Sequence, residues 1–137
     1  MPETHFPAPV FVDENGVVKV GGALNTESLL QAYERGIFPW PTPNLPTLWF
    51  CPDPRGILDF SEFHESTSLK KLRRKNLYRF STNEAFEKVI ENCRKQPRVG
   101  QSGTWITDNM KKAYCDFHRE GYAHSIECWE GSELVGG

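Results

Sequence analysis

Apolar residues recur along this chain with helical and strand-like spacing, and the two periods predict most of its elements. The clearest is residues 108–120, where Met110, Ala113, Tyr114 and Phe117 form one stripe. Thr107 is placed to cap it and Gly121 to stop it. Phe86, Val89, Ile90 and Cys93 fall at i, i+3, i+4 and i+7, which predicts a helix over 84–94. A further helix is expected over 26–35, with Thr26 as cap, Glu27 at the positive end and Gly36 as stop. Leu29, Leu30 and Tyr33 then share a face. Residues 66–75 predict a shorter helix. Leu69 and Leu72 form its buried face, Lys70, Lys71 and Arg74 point away, and Arg73 and Lys75 lie at the flanks. Strands are expected at 78–81, at 123–129 with Ile126 and Cys128 on one face, and from 133 after the Glu130-Gly131 turn signal. The pattern is that of a mixed α/β (α+β) protein whose sheet is left unfinished where the sequence stops, at Gly137.

Proline divides the chain. Nine of the ten prolines lie in residues 1–56, so the first part is expected to be loop-rich. Residues 37–56 in particular are expected to be irregular, because prolines at 39, 41, 43, 46, 52 and 54 oppose a helix or a central strand. That segment also carries Phe38, Trp40, Trp49 and Phe50. Such rings are costly to leave in water, so burial or a ligand must order them.

With 137 residues, 38% apolar and 12% aromatic, the chain can bury a core, and a net charge of −2 is too small for a disordered polyelectrolyte. No run approaches the length of a membrane span. Residues 1–5 show no basic-then-apolar leader, and four cysteines are too few for a disulfide scaffold. The expected setting is cytoplasmic, with free thiols.

Three constellations are candidates for chemistry. Residues 66–79 hold six basic side chains and no acidic one, which makes either a solvated helix face or a contact surface for phosphates. Cys115, His118, His124 and Cys128 have zinc-like spacing, but the second pair sits on a strand rather than in a knuckle. Buried thiols and ordinarily bonded histidines are the better expectation. Tyr33, Trp40, Trp49, Trp105 and Tyr114 are either core or flat rings on which nucleobases stack. Gly21-Gly22 suits a tight turn or a phosphate nest. The fingerprints of ATP, dinucleotide and serine-hydrolase sites do not occur in the sequence.

These residues also fall into ordered motifs: Gly21-Gly22-x-Leu24; Leu29-Leu30-x-Ala32-Tyr33-x-x-Gly36-Ile37-Phe38-Pro39-Trp40; Trp49-x-x-Pro52-Asp53-Pro54-Arg55; Gly103-Thr104-Trp105-Ile106-Thr107; and Ala113-Tyr114 followed by His118-x-x-Gly121-x-Ala123-His124-Ser125-Ile126-Glu127. With Leu134-Val135-Gly136-Gly137, they resemble the bacterial leucyl/phenylalanyl-tRNA–protein transferases from Gly21 onward. The sequence departs from that pattern at Ala23, Pro41 and Cys51.

The resemblance implies an aminoacyltransferase that moves Leu or Phe from aminoacyl-tRNA to a protein beginning with Lys or Arg, a tag for N-end rule degradation. It implies a family-specific domain over 1–56 and the first part of a GNAT-like acyltransferase domain over 57–137. The catalytic residues are expected beyond Gly137, so none is assigned here and the chain alone is expected to be inactive. Trp40, Trp105, Tyr33 and Tyr114 are the expected contacts of the aminoacyl-tRNA 3′ end. Lys70, Lys71, Arg73, Arg74 and Lys75 are the expected phosphate contacts. An aminoacyl ester is already activated, so neither metal nor cofactor is expected. The alternatives are a noncatalytic tRNA-binding module of the same descent and a structural or interaction domain that kept the core motifs and lost the substrates.

Overall fold

The computed structural model describes residue 6 and residues 14–41, 44–100 and 103–137. Its elements, in chain order, are β1 (Val17–Val20), α1 (Thr26–Tyr33), β2 (Phe38–Trp40), β3 (Leu48–Phe50), a 3-10 turn (Phe60–Glu62), α2 (Thr67–Arg74), β4 (Arg79–Thr82), α3 (Phe86–Lys95), α4 (Asp108–Arg119), β5 (Ile126–Glu130) and β6 (Glu133–Gly136). The fold is mixed α+β, with two antiparallel three-stranded sheets ordered β1-β3-β2 and β4-β5-β6.

The four expected helices form near their expected bounds, and β4, β5 and β6 stand where strands were expected. The proline-rich segment corrects the sequence reading. Residues 37–56 contain two strands, and β3 is the centre of its sheet. The prolines permit this because Leu48, Trp49 and Phe50 are a proline-free triplet. Pro39 sits in β2, an edge strand with one backbone side outside the ladder. The first strand, β1, was not among the expected elements, although Val17, Val18 and Val20 after Asn15-Gly16 suit a strand.

The cap of α1 is a second correction. Asn25 rather than Thr26 accepts from the Ser28 amide, at 2.9 Å. Thr26 Oγ1 instead donates to Glu120 at 2.9 Å, tying α1 to the end of α4. At the other end Gly36, at φ +70°, turns the chain so that the Ile37 amide returns to the Ala32 carbonyl at 2.9 Å. A β-carbon is disfavoured in that conformation.

One core joins the first sheet to α1 and α4. Phe6, Leu29, Ala32, Ile37 and Trp49 pack with Ala113 and Phe117, so residues from both sides of position 56 build it. Trp49 is fully buried, meets Phe6 edge-on at 4.7 Å, and donates from Nε1 to the Gly21 carbonyl at 3.0 Å. Its indole N–H is thereby satisfied, as a buried polar group must be. Trp49 is thus core.

The leucine face of α2 is the third correction. Leu69 and Leu72 are 49% and 42% exposed. Helical periodicity marks which side is apolar but does not supply a surface to cover it, and none of the described residues does so.

Candidate functional site

The four aromatic residues singled out as ligand contacts come together in the fold. Trp40 ends β2, Tyr33 ends α1, Trp105 lies in the segment leading into α4, and Tyr114 is on α4. The indoles of Trp40 and Trp105 are stacked on each other, centroids 5.4 Å apart and 16° from parallel. Trp105 meets Tyr114 edge-on at 6.5 Å, and Tyr114 meets Tyr33 edge-on at 6.4 Å. The two phenol oxygens are 2.5 Å apart, one donating to the other. Phe117, one turn along α4, stacks on Tyr33 at 6.1 Å and on Tyr122 at 5.3 Å. The result is a continuous aromatic ladder with Trp40 and Tyr33 partly open to solvent, 43% and 44% exposed.

Local chemistry holds each rung. Thr104 Oγ1 accepts from the Ile106 amide at 3.1 Å, and Thr107 caps α4 by accepting from Met110 at 3.2 Å. Ile106 between them is buried, so Trp105 is fixed from both sides. Arg55 secures the approach to β2. Its guanidinium donates to the Gly36 carbonyl and lies over the Phe38 ring at 4.9 Å. Burial, followed by the neighbouring Tyr33, pushes the Tyr114 phenol above its ordinary range, so it remains a neutral O–H at physiological pH. Beside the ladder opens a groove of about 820 Å³, walled by Trp105, Ile106, Met110, Tyr114, Phe117 and His124 among others.

The basic residues occupy a separate element. Lys70, Lys71, Arg73, Arg74 and Lys75 are all exposed on or just after α2, and the groove beside the ladder has no α2 residue in its walls. Three of them, Lys71, Arg73 and Arg74, lie in its last turn, where the negative end of the helix favours cations. Arg73 is committed to a bidentate pair with Glu65 at 2.9 and 3.0 Å. Lys70, Lys71, Arg74 and Lys75 make no ion pair among the described residues.

The zinc-like set does not assemble. Among the described residues there is no group of three or more His, Cys, Asp or Glu arranged to hold a metal, and all four cysteines are free thiols. His118 stacks on Phe86 at 4.1 Å, and its Nδ1 lies 2.7 Å from the Ala123 carbonyl. His124 Nδ1 pairs with Asn83 at 2.9 Å. Burial pushes the Cys115 thiol up, away from the thiolate a metal would need.

Two features were given no site role by the sequence. Phe117 and Tyr122 extend the ladder, yet Phe117 reads only as part of a core stripe. Glu127 is fully buried and accepts from Ser81 and Ser125 at 2.5 Å and from the Ala85 amide at 3.3 Å. Burial opposes its charge, but these hydrogen bonds prevail and hold its carboxyl below the usual range. It does for the start of α3 what a local capping side chain would do, since Ala85 has none to offer.

The family model for leucyl/phenylalanyl-tRNA protein transferase matches residues 57–137, and the model for the N-terminal domain of that protein matches residues 22–53. The chain belongs to the leucyl/phenylalanyl-tRNA protein transferase family. Curated relatives carry the name leucyl/phenylalanyl-tRNA–protein transferase. The protein of Anaeromyxobacter sp. strain K is 49% identical over 135 residues, covering 98% of this chain and 58% of the relative. That of Myxococcus xanthus is 48% identical over 132 residues, covering 96% of this chain and 56% of its own length. That of Shewanella baltica strain OS155 is 48% identical over 134 residues, with the same two coverages. The chain therefore spans a little over half the length of these relatives. The ladder draws on both matched stretches of this family: Tyr33 and Trp40 lie in the first, Trp105 and Tyr114 in the second.

Proposed function

We propose that this chain is the part of a leucyl/phenylalanyl-tRNA–protein transferase that receives the 3′ end of the donor aminoacyl-tRNA. The aromatic ladder is the observation that supports this most directly. Four rings from separate elements converge, and the outermost two, Trp40 and Tyr33, keep open surface. Unpaired tRNA ends offer splayed bases, for which aromatic faces are general partners. Because Trp40 and Trp105 already stack on each other, a base extends the stack on the outer face of the pair. The Tyr33–Tyr114 pair supplies a neutral hydroxyl beside it. Lys70, Lys71, Arg74 and Lys75 contact phosphates farther along the tRNA, with Arg73 held back by Glu65.

The reaction served is transfer of Leu or Phe to the α-amine of a protein that begins with Lys or Arg, marking it for N-end rule degradation in the cytoplasm. The amine attacks the ester carbonyl, a C–N bond forms, the ester C–O bond breaks, and the tRNA 3′-terminal oxygen leaves with the proton the amine gives up. That chemistry needs positioning and oxyanion stabilisation. Residues 1–56 form the family-specific domain and residues 57–137 the opening of a GNAT-like domain. The groups that stabilise the oxyanion lie outside this chain.

The test is incubation of the purified chain with Phe-tRNA and an Arg-initiated acceptor protein. Binding of the tRNA without transfer above the uncatalysed rate is expected. Transfer at an enzymatic rate would place the catalytic groups within these residues.

A further inference from the structure

Two phenols meet within the ladder, and burial decides which of them donates. Tyr33 and Tyr114 place their hydroxyl oxygens 2.5 Å apart. Each hydroxyl has one proton to give, so the contact uses one and leaves the other free. Tyr114 is partly buried on α4 and makes no other hydrogen bond among the described residues. Burial is the leading cause of its raised phenol pKa. Tyr33, at the end of α1, is 44% exposed and can give its proton to water. Were Tyr33 the donor, the Tyr114 proton would be enclosed without an acceptor, and an unmet buried donor is costly. Donation therefore runs from Tyr114 to Tyr33. Accepting on one side of its oxygen, Tyr33 holds its own O–H on the side away from Tyr114. Its ring is steadied by Phe117, which stacks on it at 6.1 Å and 16° from parallel. A hydroxyl that already accepts is also the stronger donor. The fold thus presents a directed, neutral donor at the groove that Tyr33 and Tyr114 both wall.

We propose that the Tyr33 hydroxyl donates to the 2′-oxygen of the terminal ribose of the donor tRNA, and that Tyr114 is a positioning residue acting through it. The proposal rests on the reading that the ladder receives the 3′ end of the donor. A stacked base brings the ribose to which it is bonded beside the same rings. Phosphates call for cations, which this fold carries on α2 instead. The 2′-hydroxyl is neutral, can accept, and is the group by which a protein tells RNA from DNA at a given nucleotide. Tyr33 is then a specificity-determining residue for a ribonucleotide end.

The experiment measures equilibrium binding of two amide-linked Phe-tRNAs to the full 137-residue chain, one ending in a ribose and one in a 2′-deoxyribose. The parent should bind the deoxy form roughly 2- to 12-fold more weakly, the equivalent of about 0.5–1.5 kcal/mol for one hydrogen bond. Tyr33→Phe should weaken the ribose form by the same factor and bind the two forms alike. Tyr114→Phe should reduce the preference for ribose without abolishing it. Thermal unfolding checks the direction of donation separately. Tyr33→Phe should lower the midpoint, since Tyr114 loses its acceptor, and Tyr114→Phe should stay closer to the parent. A parent that binds both forms equally, or a preference for ribose that survives Tyr33→Phe, would overturn the proposal. A midpoint lowered more by Tyr114→Phe than by Tyr33→Phe would overturn it by reversing donor and acceptor. Trp40→Ala separates this failure from that of the underlying reading. If it weakens both forms while no preference for ribose is seen, the ladder stands and the hydroxyl contact alone falls. If it weakens neither, both fall together.

Discussion

The region built from α1, the first sheet and α4 and the region built from α2 and β4 use similar residues to opposite ends. In the first, Leu29, Ile37 and Trp49 are wholly enclosed, and their neighbours come from distant parts of the sequence. In the second, Leu69, Leu72 and Phe80 have the same chemistry and remain open. The difference lies in what surrounds each set. An apolar stripe stabilises a fold only as far as another element removes it from water. The enclosed region can therefore hold the aromatic ladder in place, whereas the open one adds little to the core.

Truncating side chains in each region breaks the comparison most sharply. Trp49→Ala should destabilise the chain by about 3–5 kcal/mol and Leu29→Ala by about 2–5 kcal/mol. Leu72→Ala, on the open face, should stay within about 0.5 kcal/mol. Chemical denaturation of the three variants checks this, and equal losses at Leu29 and Leu72 would erase the distinction.

Acid should act mainly on the links between elements. Lys111 and Lys95, through their hydrogen bonds, hold Glu91 down to about 2 from an ordinary 4.5, and the Lys111 pair joins α3 to α4 at 2.7 Å. A depressed carboxylate contributes stability that is complete above its unfolded value. That contribution is lost as pH falls through the folded one. The contribution of Glu91 should thus be present above pH 4.5 and fade towards pH 2. Glu127 behaves with the same sign. Unfolding midpoints measured from pH 6 to pH 2 should fall less steeply in Glu91→Gln and Glu127→Gln than in the parent. A parallel acid limb in both variants would remove these carboxylates from the account.

The smallest expected effect on stability is on α2. Replacing Lys70, Lys71 and Arg74 together by Ala should leave the unfolding midpoint nearly unchanged. It should flatten the log–log salt dependence of tRNA binding by about 2 to 3, at roughly 0.7–0.9 per phosphate contact. An unchanged slope would reduce the charge run to a solvated face.

Helices were the most legible part of the sequence, because cap, stripe and stop coincide locally, as at Thr107, Met110 to Phe117 and Gly121. The strands β2 and β3 were hidden. Proline density is a property of the segment, while pairing depends on three residues and on which strand is at the edge. The cap of α1 was misplaced by one residue because Asn25 and Thr26 are both competent and only the backbone decides. The exposure of Leu69 and Leu72 was not legible, since periodicity fixes a direction and a covering surface must come from elsewhere. At the site, residue type pointed to Tyr33, Trp40, Trp49, Trp105 and Tyr114, and only the resemblance set Trp49, which is core, apart from the other four. Their stacking on one another arises from the α1–α4 packing, which no local pattern encodes. Glu127 stands in a motif of the sequence, but its burial was not legible there, because its donors lie on β4, at the start of α3 and at Ser125.

The central claim is that the ladder binds the tRNA 3′ end, and equilibrium binding of a Phe-tRNA with an amide in place of its ester tests it most directly. Trp40→Ala should weaken binding by roughly 5- to 150-fold, the equivalent of about 1–3 kcal/mol for one stacked base, while the unfolding midpoint stays close to that of the parent. Binding unchanged by Trp40→Ala, or weakened only in proportion to lost stability, would contradict the claim and return the ladder to the core.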